Sequence, residues 1–234
     1  MRKMPFCGRW ILGLTVLAIS WNLAATPARA ALLFNNNNQS QDQVGAFANT
    51  TFRLASDFHT GAASSTVTTA FLTMFDGDNI NHTYTPKIFT DNSGLPGTLV
   101  GTMSTFTTNG NVLSFVKYTA TSSGISLSPN TTYWMVLQMG ENNNGQGATG
   151  WEQTTSQSTA AGSIFTTVSA TQVKSSTNSG ATWSDAFVGN TMFELDGTVP
   201  EPSVFLLTGL GAFIGLIPRY RRRRGGTSQS AQRN

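Results

Sequence analysis

The 234-residue chain has one cysteine, two histidines and few charges, which make up only 11% of its residues. The cysteine, Cys7, lies in an N-terminal segment read below as removable. The mature chain is then left without a thiol, which excludes both a disulfide framework and a cysteine nucleophile. His59 and His82 stand far apart with no HExxH or HxH grouping, so a histidine-built zinc site has no footing. Neither histidine is accompanied by a G-x-S-x-G elbow, so a serine-hydrolase triad has no anchor. Positive charge is scarce where a ligand would meet it. Of the 14 Lys and Arg, only Arg53, Lys87, Lys117 and Lys174 lie between residues 31 and 199, against ten acidic groups. The formal +3 of the whole chain thus belongs to its ends, and the body carries about −6. No basic face remains to neutralise phosphates, so nucleic acid is not an expected partner.

What the chain does have is two address-like ends. Arg2, Lys3 and Arg9 precede an apolar run from Ile11 to Ala18, and Ala28-Arg29-Ala30 follows. This order predicts a secretory signal peptide over residues 1–30, cut between Ala30 and Ala31, with signal peptidase as processing partner. At the other end Val199-Pro200-Glu201-Pro202-Ser203 leads into an apolar run from Val204 to Ile217, then Pro218, Arg219, Tyr220 and Arg221, Arg222, Arg223 and Arg224. Residues 204–217 predict a short transmembrane helix of roughly 21 Å, which needs snorkelling arginines or local thinning to cross a ~30 Å hydrocarbon core. The arginines hold their end in the cytoplasm together with a tail over residues 225–234, so the body faces outward, in agreement with the export signal.

Pro200-Glu201-Pro202, a short apolar helix and an arginine cluster together resemble the PEP-CTERM sorting signal of Gram-negative bacteria, here over residues 198–224. The resemblance implies recognition by an exosortase, a membrane-embedded cysteine protease. It implies cleavage near Pro200, Glu201 and Pro202, transient residence in the inner membrane and delivery to the cell surface or extracellular matrix.

Between the addresses, residues 31–43 include Asn35-Asn36-Asn37-Asn38-Gln39-Ser40-Gln41-Asp42-Gln43, a polar run that predicts a flexible leader. Residues 44–197 are rich in Thr, Ser, Gly and Asn, with short apolar runs and no helical period, and predict one all-β domain: a single antiparallel, jelly-roll-like β-sandwich. In the run from Thr66 to Phe75, Val67, Thr69, Phe71, Thr73 and Phe75 are expected on one face and Thr68, Ala70, Leu72 and Met74 on the other. Asn109-Gly110, flanked by the runs 102–108 and 111–119, predicts a type I′ hairpin. From Thr131 to Met139 both faces are apolar, which predicts a central strand. Phe193 and Leu195 alternate with Glu194 and Asp196, predicting a strand with one wet face.

This body resembles a choice-of-anchor domain of the R type over residues 44–197, on the strength of Ile88-Phe89-Thr90-Asp91-Asn92-Ser93-Gly94-Leu95-Pro96-Gly97 and Leu127-Ser128-Pro129-Asn130-Thr131-Thr132-Tyr133-Trp134. The resemblance implies an extracellular β-rich module without an enzymatic role.

Few side chains suggest chemistry. Asp76-Gly77-Asp78-Asn79 with Asn81 places oxygen donors at alternate positions, but Ile80 replaces a third ligand and Lys87 the closing glutamate of an EF-hand loop. The stretch reads as a turn; Asp76 and Asp78 would bind calcium only with donors from elsewhere. Trp134, on a strand, reads as core, whereas Trp151 and Trp183 lie among small polar residues and are the candidates for stacking on sugar rings. Asp57, Glu141, Glu152 and Glu194 supply carboxyl groups, but nothing in their spacing pairs them as a glycosidase requires. The expectation is a non-enzymatic exported protein with no cofactor, structural or adhesive in role and suited to extracellular polysaccharide. The alternatives are a secreted carbohydrate-binding or carbohydrate-degrading module and a permanently anchored membrane protein.

Overall fold

The structure, a computed structural model, describes residues 28–41, 43–46, 50–77, 80–110, 114–140, 150–156, 158–168 and 172–200. The sorting helix over 204–217, Glu201, Pro202, Arg221 to Arg224 and Glu141 lie outside the described residues. Ala28 to Pro200 form one compact unit whose elements, among the described residues, are all strands. In chain order these are β1 Ala28–Asn35, β2 Gln43–Ala46, β3 Arg53–His59, β4 Ser65–Asp76, β5 Thr83–Asp91, β6 Pro96–Thr102 and β7 Phe106–Thr107. There follow β8 Ser114–Leu127, β9 Thr132–Met139, β10 Gly150–Thr154, β11 Gln172–Ser176, β12 Ser184–Val188, β13 Asn190–Thr191 and β14 Phe193–Pro200.

They make two antiparallel sheets, consistent with the expected sandwich. The first runs β1-β14-β4-β10-β13, with β2 on β10 and β8 on β4; the second runs β12-β11-β3-β9-β5-β6, with β7 on β5. The core draws on both. Leu33, Leu72, Met74, Trp151, Phe193 and Leu195 come from the first sheet and Leu54, Phe58, Ile88, Tyr133, Met135 and Leu137 from the second. Phe34 and Phe193 stack with centroids 4.5 Å apart, and Phe58 stacks on Phe165 at 5.8 Å. Such offset contacts add to the apolar area removed from water.

β9 is central and two-faced as its pattern predicts. Tyr133, Met135, Leu137 and Met139 enter the main core, while Trp134 and Val136 pack with Ala55 on the far side of the sheet. β14 alternates as expected, Phe193 and Leu195 buried and Glu194 and Asp196 half-buried. In β4 a bulge between Val67 and Thr69 shifts the register, so Val67 joins Ala70, Leu72 and Met74 in the core instead of sharing a face with Thr69.

Two expectations are corrected. The hairpin about Asn109-Gly110 does not form: β7 pairs with β5 in the second sheet and β8 with β4 in the first. Neither residue has positive φ, and their donors are taken elsewhere, Asn109 N by Tyr118 Oη at 3.0 Å and Gly110 N by Asn81 Oδ1 at 3.0 Å. Gly110 is needed for close approach instead, because a Cβ there would stand 2.1 Å from Ile80 N. Residues 31–43 are not a free leader ahead of a domain starting at residue 44. Leu33 and Phe34 are fully buried in β1, and Asn36 is fully buried beyond it. A strand with two large apolar side chains gains more from the core than it loses in chain freedom.

A candidate binding face on the second sheet

The described residues of the two expected addresses meet at one end of the first sheet. Ala28, Arg29, Ala30 and Ala31 pair with Pro200, Val199, Thr198 and Gly197. The bond between Ala30 and Ala31 therefore lies inside the β1 ladder, and Pro200 is the last residue of β14.

The two tryptophans proposed as sugar platforms separate. Trp151 has no exposed surface; it packs 5.9 Å from Phe193 and its Nε1 donates to Met192 O at 2.9 Å. It is a core residue, which corrects the expectation of a stacking face. β10 is buried along its length, so the small polar neighbours of Trp151 mark an enclosed strand and not a loop. Trp183 is half-buried and rests on the Ala55, Trp134 and Val136 cluster outside the second sheet, beside the half-buried Phe89.

That outer face has a clear register. Across β3, β9 and β5 it presents the rows Arg53, Gln138, Thr85; Ala55, Val136, Lys87; and Asp57, Trp134, Phe89. Trp134 is held by a 2.8 Å bond from its Nε1 to Asp91 Oδ1, and Asp91 also accepts from Gly94 N at 3.1 Å. Lys87 Nζ donates to Gln138 Oε1 at 2.8 Å. Arg53 Nε is buried with no hydrogen-bond partner among the described residues. Burial lowers the pKa of Arg53, and burial together with the nearby Arg53 charge lowers that of Lys87. Two cations are thus crowded at one end of an aromatic face, a pairing the spacing of Arg53 and Lys87 along the chain does not suggest.

The outer side of the first sheet is different. Asn36 Nδ2 donates to Thr191 O at 2.9 Å, and Asn36 Oδ1 accepts from Phe193 N at 2.8 Å. Asn37 Oδ1 accepts from Thr73 at 3.1 Å, and Gln39 Oε1 accepts from Ser156 at 2.7 Å and Ser158 at 2.9 Å. The polar run is therefore a strap tied to the sheet. Beside it Glu152 is fully buried, with no hydrogen-bond partner for either carboxyl oxygen among the described residues. Burial pushes its pKa up to about 7, offset in part by Gln41, whose side chain stops short of a formed hydrogen bond.

The remaining candidates stay apart. Asp57 belongs to the second sheet; Glu152 and Glu194 lie on β10 and β14 of the first, and Glu194 is ion-paired with Lys117 at 2.6 Å. Asp76 closes β4, Asp78 lies outside the described residues, and Asn81 is engaged by Gly110. No group of three or more His, Cys, Asp or Glu able to hold a metal occurs among the described residues. His59 ends β3, its Nδ1 3.1 Å from Thr132 Oγ1. No family model, curated protein or solved structure matches the chain.

Proposed function

We propose that the protein is an exported surface or extracellular-matrix protein, a jelly-roll-like module with a structural or adhesive role, delivered through a PEP-CTERM signal and an exosortase. The observation that carries this reading is the extent of the compact unit, Ala28 to Pro200. It begins and ends on the first residues of Ala28-Arg29-Ala30 and Pro200-Glu201-Pro202, so each address runs a few residues into folded structure. The ladder adds a mechanism. A cut after Ala30 removes Ala28, Arg29 and Ala30, the β1 partners of Pro200, Val199 and Thr198. On its other edge β14 is paired with β4 only as far as Thr198. Val199 and Pro200 are then an extended segment with free backbone groups, the form in which a protease takes up a strand.

The test is intact mass of the protein from membrane and extracellular fractions of the native host, with and without its exosortase. A species running from Ala31 to near Pro200, lost when the protease is deleted, is expected. An unprocessed C-terminus in both strains overturns the sorting route and leaves a tethered protein. The second reading, carbohydrate binding, is favoured by Trp183, whose half-buried indole lies on the aromatic cluster outside the second sheet.

A further inference from the structure

Of the four Lys and Arg in the body, two are matched to carboxylates: Lys117 to Glu194 and Lys174 to Asp185. The other two, Arg53 and Lys87, have no ion pair among the described residues and share the outer face of the second sheet. Gln138, a neutral acceptor, lies opposite Arg53 and receives the Lys87 bond. Trp183 borders the same ground. A Cβ placed on Gly180 would lie 2.7 Å from Arg53 Nη1 and 3.4 Å from the Trp183 ring, so guanidinium and indole flank one glycine. Asp57 and Asp91 stand towards its other end, where Asp57 is opposite Trp134 and Asp91 holds the indole N–H, and Asp185, in the row of Ala55, is ion-paired with Lys174. The face therefore runs from a carboxylate end to a cationic end over an aromatic floor.

We propose that this face binds a uronate residue of an extracellular polysaccharide, its carboxylate held by Arg53 and Lys87 and its sugar ring laid on Trp183. A carboxylate takes charge-assisted hydrogen bonds from a guanidinium and an ammonium, and both gain strength where water is partly excluded. The C–H face of a pyranose carries slight positive charge and meets the negative face of an indole. The body's charge of about −6 sets the density of the ligand. It repels a closely charged chain but tolerates a carboxylate set among neutral sugars. The proposal deepens the adhesive reading and rests on it for where the ligand is met.

Its test is calorimetric titration of the purified full-length chain with octasaccharides containing glucuronate, galacturonate or mannuronate, and with the same octasaccharides after reduction of their carboxyl groups to alcohols. Sorting plays no part in this measurement, so its failure and that of the export route are distinct. At least one uronate octasaccharide is expected to bind, at least tenfold more tightly than its reduced form. Lys87→Gln and Trp183→Ala are each expected to weaken it at least tenfold. Lys117→Gln, on the other sheet, is expected to leave it unchanged. Binding to none of the octasaccharides, equal binding of the reduced forms, or an equal loss in Lys117→Gln overturns the proposal. Circular dichroism melting of each variant separates lost binding from lost folding.

Discussion

The two sheets close their outer sides with opposite chemistry. Outside the second sheet, Trp134 is 2% exposed and its one polar atom is bonded to Asp91. Outside the first, Glu152 is 0% exposed and its carboxyl oxygens have no hydrogen-bond partner among the described residues. An indole removed from water with its N–H satisfied stabilises the fold, whereas a carboxyl removed from water without partners costs free energy unless it holds its proton. The contrast also separates roles. The aromatic side keeps a half-buried rim with two cations that have no ion pair among the described residues, where a ligand has something to meet. On the first sheet the strap is bonded to the backbone of Thr191 and Phe193 and to the side chains of Thr73, Ser156 and Ser158.

The largest expected effect is on the aromatic side. Trp134→Ala removes the indole under Trp183 together with its bond to Asp91, and should cost about 4 kcal/mol in urea unfolding. A cost below about 1 kcal/mol would mean that Trp183 and its loop collapse onto the space, and that the floor is not the rigid element described.

Next is the carboxyl. The pKa of Glu152 in the fold, about 7, lies above its ordinary value of 4.5. The protonated carboxyl's stabilising contribution is therefore fully present below pH 4.5 and lost as pH rises through 7. Between these limits the loss is on the order of 3 kcal/mol, from about 1.36 kcal/mol per pK unit. Glu152→Gln should flatten this dependence and make the variant the more stable protein at about pH 8. A parent whose urea midpoint does not fall between about pH 4.5 and pH 8, or a variant no more stable than it at pH 8, would remove the carboxyl from the contrast.

The smallest of the three effects is that of the strap. Asn36→Ala leaves Thr191 O and Phe193 N without the side-chain partners they have now, and should cost about 2 kcal/mol. Hydrogen exchange should show the added opening confined to residues 36–41 and 190–193. Uniform loss across both sheets would mean that the strap is part of the global fold and not a local tie.

Much of the strand pattern was legible in the sequence. β9 declares itself because Tyr133, Met135, Leu137 and Met139 alternate with Trp134 and Val136, and a strand apolar on both faces belongs inside a sheet. The turn through Ser93 and Gly94, where φ is 55° and 82°, ends β5 as its small residues suggest. Asn109-Gly110 misled because a turn signal states a local preference, and Asn81 and Tyr118 offered its N–H groups partners from elsewhere. The asparagine run misled for the same reason in reverse. A polar segment has little of its own to bury, but the backbone at the ends of β13 and β14 supplied Asn36 with a donor and an acceptor. Of the site, Trp183 was visible as an aromatic among small polar residues, while the meeting of Arg53 with Lys87 was not.

By itself the sequence determined the all-β class and the acidic body with basic ends, and it set the expectation of two sorting addresses. Alternation, charge and turn chemistry are properties of neighbours along a chain, and they survive any arrangement of the strands. Only the tertiary structure decided that Trp151 is core and Trp183 is rim, that Glu152 is sealed, and that Arg53 and Lys87 face the same way across β9. Those facts depend on strand order and register. A single-residue slip of a strand turns every side chain to the opposite face, and nothing in the neighbouring residues alone prevents it.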